Sequence, residues 1–357
     1  MKKSNNIQLF DKIKFLDKLL FTKHLAMMIK SGITLSESID AIAAQTPSNK
    51  FRGVLAKVSE DIKNGNSFPQ SLKKHPKVFS QFYVTLSEVG EESGTLDESL
   101  RYLADQLAKE YALAKKIQGA LLYPAIVLVA VGLVGVGMSI FVLPQLANLF
   151  ESLNVELPIT TRILLFFANT MKNYGVFVVL GLVASAILFQ ILIKLPKVKP
   201  KWDSFLLSSP IFGPLFQNKE MASLCRNLGV MLKSGLPITK ALEVEGLGEE
   251  NLVFKSYIER ILKSVSKGKE MREELDQGNY SRFSPIAIKM IGVGEKTGKL
   301  DESFLYLGEF FEDEVDNTAK NLSVVLEPII LLVIGIIVGF VALAIISPIY
   351  ELTGSIK

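Results

Sequence analysis

Two sets of acidic residues have the composition that acid–base chemistry or a divalent cation would need: Glu91, Asp97 and Glu98, and again Glu295, Asp301 and Glu302. Paired carboxylates can divide the roles of acid and base, or can offer hard oxygen ligands to a cation. Each set falls where a helix is expected to begin, and the positive end of the backbone dipole stabilises acidic side chains there. Helix-start electrostatics therefore accounts for the placement, with a cation site at these six residues as the alternative.

Other chemistry is not assembled. Gly294-Glu295-Lys296-Thr297-Gly298-Lys299-Leu300 superficially looks like a phosphate-binding loop. It is one residue short between the glycines, has Leu300 where a magnesium-binding hydroxyl belongs, and follows no buried strand. His24 and His75 fall on different expected helices, without the spacing of a metal pair or a triad. The single cysteine, Cys225, excludes an intrachain disulfide and is expected as a small core residue. With no nucleophile, ligand set or phosphate loop, the chain is not read as an enzyme, and no cofactor is expected.

The acidic sets belong to a larger repeat. Val89-Gly90-Glu91, Gly94 and Leu96-Asp97-Glu98-Ser99 return as Val293-Gly294-Glu295, Gly298 and Leu300-Asp301-Glu302-Ser303. Downstream of each copy lies an apolar run bracketed by prolines, Pro124 to Pro144 and Pro328 to Pro348. Each pair stands about 20 residues apart, enough for a helix to cross a hydrocarbon core of roughly 30 Å. Upstream, Ser31-Gly32 matches Ser234-Gly235, so a helical module followed by an apolar helix occurs twice.

Within the first module the apolar spacing predicts helices over about 16–30, 34–45 and 51–63, a short one after Ser67 with Pro69 in its first turn, and one over about 80–89. Glu91 to Gly94 reads as a turn, and Thr95 with Glu98 has capping-box spacing at the start of a sixth helix. The second module repeats this from about Phe216. A further apolar run, Tyr174 to Ile193, has no counterpart in the repeat.

Among 357 residues, 49% are hydrophobic and 21% charged, which fits a mixture of aqueous modules and membrane helices. The net charge of +4 is spread at helical spacing without interleaved aromatics, so direct nucleic-acid binding is not expected. Basic residues precede the first span (Arg101, Lys109, Lys115, Lys116) and follow the second (Lys194, Lys197, Lys199, Lys201), which orients both modules to the cytoplasm. No cleavable signal peptide is read near the N-terminus.

The expected fold is all-α: two homologous cytoplasmic six-helix bundle domains and three transmembrane helices. The divisions are an N-terminal segment (1–18), a first helical domain (19–117), a span (118–145), an external loop (146–173) and a second span (174–194). A linker with the second helical domain (195–325), a third span (326–350) and an external tail (351–357) follow. The two sixth helices differ in charge, and Glu309, Glu312, Asp313 and Asp316 form a candidate partner-docking face, against the plainer reading of a solvated helix face.

The segments Phe21 to Gly32, Gly90 to Leu96, Gly294 to Leu300, Leu122-Tyr123-Pro124 and Leu326-Glu327-Pro328 together resemble the inner-membrane platform proteins of type II secretion and type IV pilus assembly, the GspF/PilC family. The resemblance implies a platform without catalytic activity that couples a cytoplasmic hexameric ATPase to extraction of pilins or pseudopilins and their addition to a filament. Its implied partners are that ATPase, the pilins or pseudopilins, other inner-membrane machine components, membrane lipid and further copies of itself as a homo-oligomer. A membrane-anchored scaffold of another assembly is the alternative. A transporter fits less well, since the spans carry no charge at the membrane midplane.

Overall fold

A computed structural model describes residues 13–138 and 159–355 of the chain. The described residues are predominantly helical and contain no strand. The first module holds α1 (Phe15–Lys30), α2 (Leu35–Gln45), α3 (Asn49–Lys63), α4 (Phe68–Lys73), α5 (Gln81–Glu92) and α6 (Leu96–Gly137). After α7 (Ile159–Ile193) and α8 (Lys199–Ser208) come α9 (Gly213–Lys233), α10 (Ile238–Gly248), α11 (Leu252–Val265), α12 (Met271–Gln277), α13 (Pro285–Thr297) and α14 (Leu300–Ser355).

The helix starts follow from local side-chain chemistry. Thr34, Ser48, Ser67 and Ser80 each accept a hydrogen bond from the amide three residues on, and Asn251 accepts from Val253 and Phe254. Each bond satisfies an amide that has no partner within its helix. The expected capping box at Thr95 and Glu98 does not form: Thr95 Oγ1 lies 2.6 Å from Ser93 Oγ, and Glu98 accepts from the Tyr102 phenol at 3.2 Å.

Two boundaries depart from expectation. Helix α5 runs on through Glu91 and Glu92, because only Gly94, at φ 71°, takes the left-handed conformation that stops it. Helix α7 begins at Ile159, so the later part of the segment expected as a loop is helical; Ile159 to Ile193 contains no proline to interrupt it. The earlier part of that loop and the end of the first span lie outside the described residues. Helix α8 has no counterpart among the described residues of the first module, and its Asp203 accepts the Leu252 amide at 2.9 Å, tying it to the start of α11.

The described residues up to Lys115 and from Asp203 to Asp316 form one compact unit. Successive helices pair in both modules, α1 with α2 through α4 with α5, and α9 with α10 through α12 with α13. Phe21, Leu25, Ile39, Phe51, Phe68 and Tyr83 sit in the first core, and Cys225, Phe254, Ile258, Phe304 and Phe311 in the second. The modules also pack on each other. Phe82 and Val89 of α5 rest on the second core, and Val230 of α9 is buried in the first with Leu305 against it.

The described residues between Lys116 and Trp202 and from Asn317 onward form the other unit. Its described helices expose Leu133, Phe177, Leu332 and Ile336, side chains suited to a hydrocarbon surround. The stretch Leu300–Leu343 is long and apolar enough to cross a membrane by length and composition, while Ala125–Gly137 and Val183–Ile193 are shorter apolar pieces. Phe189 and Trp202 meet edge to face at 5.3 Å.

The two modules close differently between first and sixth helices. A Cβ placed on Gly229 would lie 2.9 Å from the Leu305 backbone nitrogen, and one on Gly308 would lie 3.1 Å from that of Arg226, so paired glycines let α9 and α14 touch. Ala26 and Ala104 hold the equivalent places and line a groove between α1 and α6. Gly229→Val is expected to lower stability by about 1–3 kcal/mol through overpacking, seen as a lower urea midpoint of the helical signal. Ala26→Val, which faces the groove, is expected to lose less.

Candidate functional site

The recurring glutamate of each turn has a structural partner. Glu91, at the end of α5, accepts the Phe68 amide at 3.1 Å; Glu295, at the end of α13, accepts the Met271 amide at 2.6 Å and the Arg272 amide at 2.9 Å. Each caps a short helix from across the module, placing a carboxylate on otherwise unpartnered N–H groups. The close approach of α5 to α6 depends on Gly90, whose added Cβ would stand 2.6 Å from that of Ser99, and Gly294 meets Ser303 in the same way.

Asp97 and Glu98 occupy the first turn of α6, and Asp301 and Glu302 that of α14, as helix-dipole electrostatics requires. Glu302 pairs with Lys299 at 3.2 Å. Among the described residues, no three carboxylate, histidine or cysteine side chains converge as metal ligands.

The turn from Gly294 to Leu300 is a helix C-terminus. Gly298 is left-handed, its amide donates to the Glu295 carbonyl, and the Lys299 amide donates to the Gly294 carbonyl at 2.8 Å. These amides are consumed in closing the helix, whereas a phosphate cradle needs them free. His24 is exposed on α1 and His75 half-buried after α4; burial, then the nearby Lys57, lowers the His75 pKa. The Cys225 thiol is buried in the second core, which raises its pKa.

The expected docking face divides on inspection. Glu309 and Asp313 are exposed and Asp316 is half-buried. Glu312 instead faces the junction of the modules: Arg226 donates to both its oxygens at 2.9 Å, and Lys109 of the first module approaches to 3.3 Å. A bidentate guanidinium is a directional partner for a carboxylate, so this pair sets the geometry of α9 on α14.

Beside it runs a polar chain that joins three helices. Gln106 Nε2 donates to Asn227 Oδ1 at 2.8 Å, Asn227 Nδ2 donates to Glu245 at 3.2 Å, and the Gln106 oxygen has no partner among the described residues. Burial, then the Glu249 carboxylate, pushes the Glu245 pKa well up. Glu249 is pushed up to about 7 by burial and then by Glu220.

This network was legible only in part. Glu245 lies on the stripe with Ala241 and Leu242, at positions that face a core, and a carboxylate there signals an unusual site. Nothing in the spacing indicates Gln106 or Lys109 as its neighbours across the junction.

Glu295→Ala is expected to destabilise by about 1–2 kcal/mol, the range for a lost N-terminal cap, with the same loss in chelator as in excess calcium if capping is its role. The junction carboxylates also predict a pH dependence. Folded Glu249 holds its proton to about pH 7, while the unfolded chain releases it near 4.5. The folded state binds more protons between these values, so this contribution is complete below pH 4.5 and declines as pH rises to 7. The thermal midpoint is expected to fall across that window, and Glu249→Gln to flatten the fall.

A family model described as type II secretion system (T2SS), protein F, matches the chain twice, over residues 21–144 and 224–348. A type IV pilus assembly protein PilC of Myxococcus xanthus is 33% identical over 342 residues, covering 96% of this chain and 81% of its own length. A PilC of Pseudomonas aeruginosa is 31% identical, covering 96% and 91%. The type II secretion system protein F of that organism is 27% identical, covering 94% and 82%.

Proposed function

Because the chain belongs to the type II secretion system protein F family, we propose that it is the inner-membrane platform of a type IV pilus or type II secretion machine. The observation that carries the reading is the doubled family match, which coincides with two helical modules, each ending in a long helix with an apolar continuation. The platform receives work from a cytoplasmic hexameric ATPase and uses it to draw pilins or pseudopilins from the bilayer into a filament. Both modules lie in the cytoplasm, and the chain crosses the inner membrane three times. It performs no catalytic step of its own.

Helix geometry supports the coupling role. Helix α14 runs through Leu300–Ser355 without a break, and an unbroken helix transmits rotation that a flexible linker would dissipate. The names of the relatives divide between pilus assembly and secretion, so both machines stay within the proposal.

Deleting the gene is expected to abolish surface filaments or secretion while leaving the pilins in the membrane, with restoration by the intact chain. Wild-type filament and secretion levels in the deletion strain would overturn the platform role. The orientation is tested by Glu259→Cys, an exposed site on α11 in a chain whose one native cysteine is buried. An impermeant thiol reagent is expected to label it only after the membrane is opened.

A further inference from the structure

The two modules share a fold but use opposite faces at their junction. Equivalent positions stand about 203 residues apart before Gly65 and about 204 apart after Phe79. On α9 the stripe Lys219, Ser223, Arg226, Asn227 and Val230 is covered or half-covered. The equivalent stripe on α1, Leu16, Leu20, Lys23, His24 and Met27, is exposed throughout. Val230 is 6% exposed and its counterpart Met27 60%.

The converse holds for the other side of the junction. Phe82, Val89 and Tyr102 of the first module are half-buried, and Gln106 is buried. The counterparts of the first three, Ile286, Val293 and Tyr306, are exposed, the last two at 52% and 53%, while Phe310, the counterpart of Gln106, is half-buried against the second core. Each module therefore carries both halves of one contact, with one half joined inside the chain and the other left open.

We propose that the open face of the second module, built on Ile286, Val293, Tyr306 and Asp313, docks on the open α1 face of the first module in a second copy of this chain. The contact repeats the internal junction between molecules. It is head to tail, so it propagates until rotation closes a ring. The proposal does not depend on which machine the protein serves.

The charges support this partner. Inside the chain, Lys109 meets Glu312, which Arg226 holds. At the equivalent places of the open contact, Asp313 replaces Lys109, Ala108 replaces Glu312 and Lys23 replaces Arg226. The reversal at one position is matched by removal of the intervening carboxylate, which leaves Lys23 without an ion pair among the described residues and able to meet Asp313. Glu309 adds to the acidic side and Lys30 to the basic side; Lys289 opposes the trend on the first, while Asp105 on the second is paired with Arg101 at 3.5 Å.

The shapes agree as well. Lys233 stands 6.0 Å from the Tyr102 ring across the internal junction. Lys30 and Tyr306 are the equivalent pair, and the α1 face opens into a groove of about 510 Å³ lined by Lys23, Met27, Lys30 and Arg101 on its basic side and by Asp97, Glu98 and Asp105 of α6, where the Tyr306 ring of another copy would enter. Cation–π contact with Lys30 then anchors the ring.

The test uses the full chain in its membrane. Two differently tagged copies, one carrying Met27→Cys and the other Tyr306→Cys, are co-expressed and oxidised. A disulfide-linked pair bearing both tags is expected, and neither variant alone should link. Links between like cysteines, absence of the mixed link, or linkage of either cysteine to a different protein instead would overturn the proposal. Lys23→Asp and Asp313→Lys are each expected to weaken self-association about tenfold, the scale of a lost charge pair at an interface. Combining them in one chain should restore it. A double variant weaker than either single would show that the two residues do not meet.

Discussion

The turn between fifth and sixth helices is the constraint on which each module depends. It reverses the chain through one left-handed glycine, Gly94 or Gly298, and brings α5 onto α6, or α13 onto α14, through a second glycine with no room for a side chain. The glutamate between these glycines reaches back to the short fourth helix and caps it. One turn therefore fixes the start of a long helix, its distance from its neighbour, and the seat of a third element. A side chain at the left-handed glycine would strain the turn, one at the close-packed glycine would meet Ser99 or Ser303, and loss of the glutamate would uncap the fourth helix.

Duplication gives each module the same means of folding and leaves the surfaces to diverge. The junction brings α5 and α6 of the first copy against α9, α10 and α14 of the second, burying a carboxylate, Glu245, where the first copy has Ile42. A buried carboxylate with one amide donor is stabilised poorly as an anion, so burial holds its proton. The Arg226–Glu312 pair nearby is saturated with two hydrogen bonds. The junction thus combines a satisfied ion pair, which fixes geometry, with a proton-holding group, which makes the contact responsive to pH.

The acidic character of the second sixth helix acquires different meanings at adjacent residues. Glu312 serves the interior of the helical unit, while Glu309 and Asp313 point outward one helical turn or less away. A helix carries neighbours three and four positions apart on related faces, so a small rotation separates a structural charge from an available one.

Much of this was written in the chain itself. Apolar periodicity, serine and threonine caps, and the repeated glycine turn determined that the protein is helical, duplicated and joined to long apolar segments, because these are local effects whose range is a few residues. The cap made by Glu295 is a different case: its acidic character was visible, but its partner amides lie in another helix, and its position at the end of α13 suggested only a turn. The tertiary structure alone decided that Glu312 meets Arg226 and Lys109, that Gln106 reaches Asn227, and that Met27 is open where Val230 is closed. Spacing along a helix specifies which residues share a face; which surface covers that face depends on contacts between segments far apart in the chain, and two copies of one pattern can be covered differently.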